Sequence, residues 1–304
     1  VKDKKEICKA LLRAEKKSGS GKFNKFLRSP VLYPSLMLFN YVWYPFFKRG
    51  LYIKPLTFFG RSFRTLLPSG TDIALNGIKS HDSEIRLTKF LVNALNEGDT
   101  FIDVGAHYGY YSLLASALVG SSGKVFSIEA SISSYNDLKE NVASYPHIKT
   151  YHAAAGDTKG TITFYEYPGP YAEYNTIIPG AYTDQTWYQS VREKVNTVPI
   201  LMLDELIKQE GIESAIIKID VEGGESSVLR GLQSTLKEKP LTIAMEYLLH
   251  SEGSVLHKEA AKILYYHQYK SYAISPEGKP DPVDDIDTYL KNSGLSSDNI
   301  IFKK

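Results

Sequence analysis

Residues 101–112, Phe-Ile-Asp-Val-Gly-Ala-His-Tyr-Gly-Tyr-Tyr-Ser, constrain the fold more than any other stretch of this chain. Thr100 to Val104 reads as a buried strand, Gly105 to Gly109 as a turn, and a helix opens near Gly109. A strand, a glycine turn and a helix in that order make a nucleotide-binding βα unit. A helical pattern over 84–95 precedes it and stops at Gly98. After it, strand-length apolar runs (124–128, 148–154, 215–220, 241–246, 270–274, 299–302) alternate with helical patterns (109–118, 132–143, 203–209, 225–236, 255–267). Such alternation predicts an α/β fold with a parallel sheet between two helix layers. Two further strands, 161–165 and 195–200, bracket an insertion rich in tyrosine.

The chemistry of the turn narrows the ligand. Asp103 stands at the end of the first strand, where a dinucleotide would place its pyrophosphate and meet a like charge. S-adenosylmethionine (SAM) has no phosphate and carries an ammonium and a sulfonium, so an acid there favours the methyl donor over NAD. Glu129 closes the second strand, where a carboxylate accepts hydrogen bonds from ribose hydroxyls. The Gly105/Gly109 spacing is not GxGxxG. The bland alternative is a βα turn whose acids only cap a helix.

Charge divides the chain. Residues 1–65 hold 15 Lys+Arg against 3 Asp+Glu, a balance of +12, and the remainder holds 21 against 31, a balance of −10. Residues 1–28 read as a basic helix or a mobile arm. The stretch Val31–Phe47 is uncharged and aromatic, beside basic residues, which suits an anionic membrane surface. Packing against the catalytic domain or a second subunit is the rival reading. A full span is disfavoured by Pro34, Asn40 and Pro45 and by length. A basic arm also suits nucleic acid, but no nucleic-acid motif accompanies it, and none is expected as a partner. Cys8 is the single cysteine, which excludes an intrachain disulfide framework and fits a reducing compartment. The first thirty residues lack the apolar core of a secretory signal. The expected location is cytoplasmic, with peripheral contact at the inner face of the membrane as an option.

Methyl transfer is an in-line displacement on an already activated donor, so the protein positions the acceptor, excludes water and handles one proton. Candidates belong at the carboxyl ends of the central strands. Lys218-Ile-Asp-Val-Glu-Gly-Gly-Glu225 lies at such an end. Asp220 or Glu222 is the expected general base, while Glu225 also suits plain helix capping. Glu246 ends the next strand, so Asp220 and Glu246 could flank a divalent ion; a metal is compatible with this but not expected. Tyr171, Tyr174 and Asn175, in the insertion over 161–195, are expected to contact the acceptor with rings and polar groups. A lid packed by its own aromatics is the alternative.

The Asp103–Ser112 motif, the strand ending at Glu129, Ala154-Ala-Gly-Asp157, Leu203-Asp-Glu-Leu206 and Lys218–Gly231 resemble the FkbM-type SAM-dependent methyltransferases over residues 82–247. The resemblance implies a class I methyltransferase (Rossmann-like) fold, a three-layer sandwich on a mainly parallel seven-stranded sheet. It implies methylation of hydroxyl groups, often on sugars or polyketide-type products. Carried over by position, Asp103, Gly105, Gly109 and Glu129 hold the donor, and Asp220 with Glu222 faces the methyl group. Glu84, Ala106, His107, Ser112, Ala130, Ala154 and Asp220 are further expected donor contacts, and Tyr171, Tyr174, Asn175 and Glu246 expected acceptor contacts. His107 and Gly224 depart from the Asn and Ala common in the family.

The expected organisation is a basic, aromatic, helical extension (1–80) followed by a methyltransferase domain (81–304). The expected activity is SAM-dependent O-methylation of a sugar hydroxyl in a glycan or lipid-linked glycan precursor. O-methylation of a small natural product and a SAM-binding scaffold without turnover are the rivals. A homodimer is compatible with the sequence.

Overall fold

The computed structural model describes residues 3–249 and 254–304. Thirteen strands follow in chain order: β1 Leu51–Ile53, β2 Thr65–Leu67, β3 Thr100–Val104, β4 Lys124–Glu129, β5 Ile148–His152, β6 Ala154–Ala155, β7 Thr161–Glu166, β8 Lys194–Leu201, β9 Ala215–Ile219, β10 Leu241–Leu248, β11 Lys270–Ile274, β12 Pro280–Pro282 and β13 Ser297–Lys303.

Eight of them form the central sheet, in the order β12-β11-β13-β10-β9-β3-β4-β5. β5, β4, β3, β9 and β10 run parallel, while β13 is antiparallel to both β10 and β11. The sheet therefore has eight strands, not the expected seven. The extra one is β12, three residues paired with β11, and its two prolines confine it to an edge. The order reverses between β3 and β9, the switch point at which open α/β sheets bind ligands.

Period-two alternation explains the layers. Phe101, Val125, Ala244 and Ile301 join one apolar cluster, with helices Asp82–Ala94, Tyr110–Val119 and Ile132–Val142. Ile102, Phe126, Ile217, Ile243 and Phe302 join the other, with helices such as Leu203–Glu210, Ser254–Tyr266 and Ile286–Ser293. The second cluster also takes in the region expected as one helix over 225–236, which is instead two helices, Glu225–Arg230 and Gln233–Glu238. A Cβ at Gly231, between them, would come within 2.0 Å of the Gly156 carbonyl oxygen, so the backbones touch there and the helix turns aside.

The run 148–154 also divides. β5 stops at His152, and β6 pairs with β8 in a small three-stranded sheet with β7. That sheet carries the insertion. Of the segment expected as a basic helix or a mobile arm, the described residues form helices Lys4–Ser18 and Lys22–Arg28. Helix Lys4–Ser18 starts in a capping box on Asp3 and buries Ile7, Leu11 and Ala14 in the same cluster as Phe58, Phe59, Phe63 and the helix Asp82–Ala94. No helix among the described residues is long and apolar enough to cross a membrane.

Candidate active site

A cavity of about 490 Å³ opens at the carboxyl ends of β3, β4, β9 and β10. Its floor is the first βα turn. Gly105 has φ +78, and a Cβ there would lie 1.8 Å from the carbonyl oxygen of Asp220, so only glycine lets the two turns meet. The backbone N–H groups of Gly105 and Ala106 both donate to the Ile128 carbonyl. Gly109, also at positive φ, gives Leu138 the room a side chain would take; it shapes the turn without lining the cavity.

Glu129 reaches the cavity edge. Its two carboxylate oxygens accept from the backbone N–H of His107 at 2.7 Å and of Ser131 at 2.8 Å. Burial raises its pKa to about 7, against the lowering effect of those two bonds. His107 holds a left-handed φ of 50, which for a non-glycine residue stores strain at a functional turn. Its ring stacks on Tyr108, with centroids 3.8 Å apart. Burial and the nearby Lys79 charge lower its pKa to about 3, so the ring is neutral, and its buried Nε2 has no hydrogen-bond partner among the described residues. Ala130 and Ala154 line the wall with Ile128, Phe164 and Ile177. Glu84 lines it too, accepting from the Tyr111 hydroxyl and lying 3.5 Å from Lys79.

Asp103 and Ser112 are not on the cavity wall. Asp103 shares the sheet face of Phe101, so its side chain enters the helix layer and is 1% exposed. There Ser112 donates to it at 2.6 Å, and Lys218, its register partner on β9, lies 3.9 Å away. Burial raises its pKa against the Lys218 charge and the Ser112 bond. The acids facing the cavity instead include Glu84, Glu129 and a trio at the tips of β9 and β10.

That trio is Asp220, Glu222 and Glu246, each offering a carboxylate oxygen within 4.8 Å of the others. The parallel pairing of β9 with β10, through Met245↔Ile219, sets Asp220 beside Glu246. Glu222 sits in the following turn at φ 51. Asp220 accepts from the Lys218 ammonium at 2.9 Å. Burial pushes Asp220 up, but the Lys218 charge and hydrogen bond outweigh it and hold the acid below its ordinary value. Burial, then Asp220 and Glu246, raise Glu222 well above its ordinary value, although the Tyr182 hydroxyl donates to it at 2.8 Å. Burial and Asp220 raise Glu246 to about 7. One site thus holds an anchored anion beside two carboxyls that resist ionisation. Oxygens at this spacing also suit a divalent cation. Glu225 serves the turn: its carboxylate accepts the N–H groups of Val221 and Gly223.

The insertion roofs the cavity through Ala172, Glu173, Asn175 and Ile177. The Oδ1 of Asn175 accepts the Tyr167 N–H at 2.7 Å, while its buried Nδ2 has no partner among the described residues. Tyr171 and Tyr174 are not lining residues. Tyr171 stacks on Trp187 at 4.7 Å, and Tyr174 packs on Trp187 and Tyr182 at 5.0 and 5.1 Å, because the aromatic side chains fill the lid's own interior. The sequence reading passed over Lys79, Glu173, Lys218, Ser297 and Asn299, all of which line the cavity. Lys218 alone had a signal, inside the Lys218–Glu225 motif; Lys79 lies in a loop and Glu173 in the short 3-10 helix Gly169–Tyr174, neither within a chemical pattern.

These residues fit SAM. Carboxylates match its ammonium and sulfonium, Glu129 suits ribose hydroxyls, the alanine and isoleucine wall suits an adenine face, and Lys79 supplies the cation its carboxylate needs. The Nε2 of His107 and Nδ2 of Asn175 have no hydrogen-bond partner among the described residues, as ligand-binding groups do.

No curated protein matches the chain. Among solved structures, an FkbM methyltransferase from Methylobacillus flagellatus KT is 15% identical with a TM-score of 0.41, over 78% of this chain and 60% of that one. An O-methyltransferase from Bacillus cereus in complex with SAH is 11% identical (TM-score 0.38), covering 71% and 78%. Aeropyrum pernix fibrillarin with bound SAM is 12% identical (TM-score 0.36), covering 71% and 73%. The model of the methyltransferase FkbM domain matches residues 103–271, more than half of the chain, and the chain therefore belongs to the FkbM family of SAM-dependent methyltransferases.

Proposed function

We propose that the chain methylates a hydroxyl group of a sugar in a glycan or glycolipid precursor. The observation that carries this reading is the Asp220–Glu222–Glu246 trio at the edge of the donor cavity. SAM, when bound, supplies a methyl group already activated on a sulfonium. What remains for the protein is to orient a hydroxyl and accept its proton. Asp220, held ionised by Lys218, is a poor proton acceptor and a good electrostatic anchor. Glu246, with a pKa near 7, is poised to take the proton at neutral pH. With SAM held in the cavity, Glu246 would take the proton of the acceptor hydroxyl while Asp220 stays ionised beside it.

A sugar is supported by the polar groups around that point. Asn175, Ser297 and Asn299 line the cavity with the acids and can bond several hydroxyls at once. Mass spectrometry of surface glycans from cells with and without the gene tests this. A glycan lacking one methylene increment in the deleted strain is expected; identical glycans, with a small natural product losing its methyl group instead, would overturn the sugar reading.

The spacing of the trio supports a second reading, in which a divalent cation on Asp220, Glu222 and Glu246 lowers the pKa of the acceptor hydroxyl. Loss of turnover in a chelator, restored by Mg²⁺, favours the cation; indifference to the chelator favours Glu246 as base.

A further inference from the structure

We propose that the helices spanning residues 22–47 are a docking surface for an anionic lipid membrane. This rests on surface composition, not on the methyl-transfer reading.

The helical run from Leu32 through Phe47 is apolar all round. An apolar helix is normally covered on every side. Here only one stripe faces the body: Leu36 is buried, Asn40 donates to the Thr71 hydroxyl at 2.8 Å, and Tyr44 interacts with Tyr171 of the lid. The opposite face is bare, with Tyr41 77% and Phe46 85% exposed. Phe23 and Leu27, on the preceding helix Lys22–Arg28, are exposed as well. So large an uncovered apolar face marks an interaction site.

Charge selects the occupant. No acidic residue stands between Glu15 and Asp72, a stretch that carries ten Lys and Arg. Lys54 and Arg64 are engaged by Asp137 and Glu140, and Arg61 is buried against Ser116. Lys22, Lys48 and Arg49 flank the apolar face, exposed and in no ion pair among the described residues. A second copy meeting this face would set like charges against each other, since a two-fold contact is self-complementary. Nucleic acid would find no phosphate partner on the uncharged ridge. An anionic bilayer satisfies both features, with cations at the headgroups and aromatic rings at the interface.

The face adjoins the cavity. Thr65, Asp72 and Ile73 line the cavity, and helix Thr71–Asn76 packs on Leu32–Leu38. Docking would bring the cavity next to headgroups, and on the acceptor reading above it would favour a lipid-linked acceptor.

Co-sedimentation of the full chain with vesicles, without SAM, tests the proposal. Binding is expected to phosphatidylcholine vesicles containing phosphatidylglycerol, weakening as salt rises, and not to phosphatidylcholine alone. Lys22→Gln with Lys48→Gln and Arg49→Gln, which removes three cations, should weaken binding on the order of a hundredfold. Tyr41→Ser with Phe46→Ser should weaken it too, and both variants should keep wild-type SAM binding. No binding to either vesicle overturns the proposal. So does a dimer in solution that Tyr41→Ser with Phe46→Ser dissociates, which would make the face a contact between copies.

Discussion

Asp103 and Lys218 stand opposite each other on neighbouring strands, and the pair reassigns the charges of the site. With Ser112 and Ser127 they form a buried polar cluster behind the first turn. The acids that face the cavity therefore include Glu84, Glu129, Asp220, Glu222 and Glu246, but not Asp103. Among these, Glu246 carries a direct pH prediction. Its folded-state pKa of about 7 leaves it protonated, and unable to accept a proton, below neutrality. Turnover should rise with pH through about 7, and Glu246→Gln should lower kcat on the order of 10²–10⁴-fold and abolish that limb of the pH–rate profile. A variant with full activity and an unchanged profile would remove Glu246 as the base. The residues at the strand ends were legible because acids there are chemically costly. The direction of Asp103 was legible too, had the period-two rule been applied to it: position 103 shares a face with Phe101. The packing of Tyr171 and Tyr174 on the other rings of the lid was not, because the sequence does not say which rings meet Trp187.

Among the elements, the parallel strands and their helices followed from apolar patterning, and most boundaries lie within a few residues of expectation. The departures have tertiary causes. The break at Gly231 answers a backbone contact with Gly156, about 75 residues earlier in sequence, and β12 exists only because β11 offers an edge. Helix Lys4–Ser18 was read as basic, but its apolar residues Ile7, Leu11 and Ala14 fall on one stripe, which packs on the domain. Ile7 is fully buried, so Ile7→Ala should cost about 2–5 kcal/mol of unfolding free energy, read by urea denaturation. A change below roughly 0.5 kcal/mol, the range of ordinary surface substitutions, would show the helix detached in solution.

Seen whole, the molecule sets its acids at the switch point of the sheet and its unpaired cations on the apolar N-terminal face. The small sheet of β6, β7 and β8 carries the lid over the first, and helix Thr71–Asn76 links the two regions. The central claim is that the cavity is built for a cationic methyl donor. Isothermal titration calorimetry of the full chain against SAM, its demethylated product and NAD⁺ tests it most directly. Saturable binding of SAM and of the product is expected, with no heat from NAD⁺. Binding of NAD⁺ with none of SAM or its product would contradict the account.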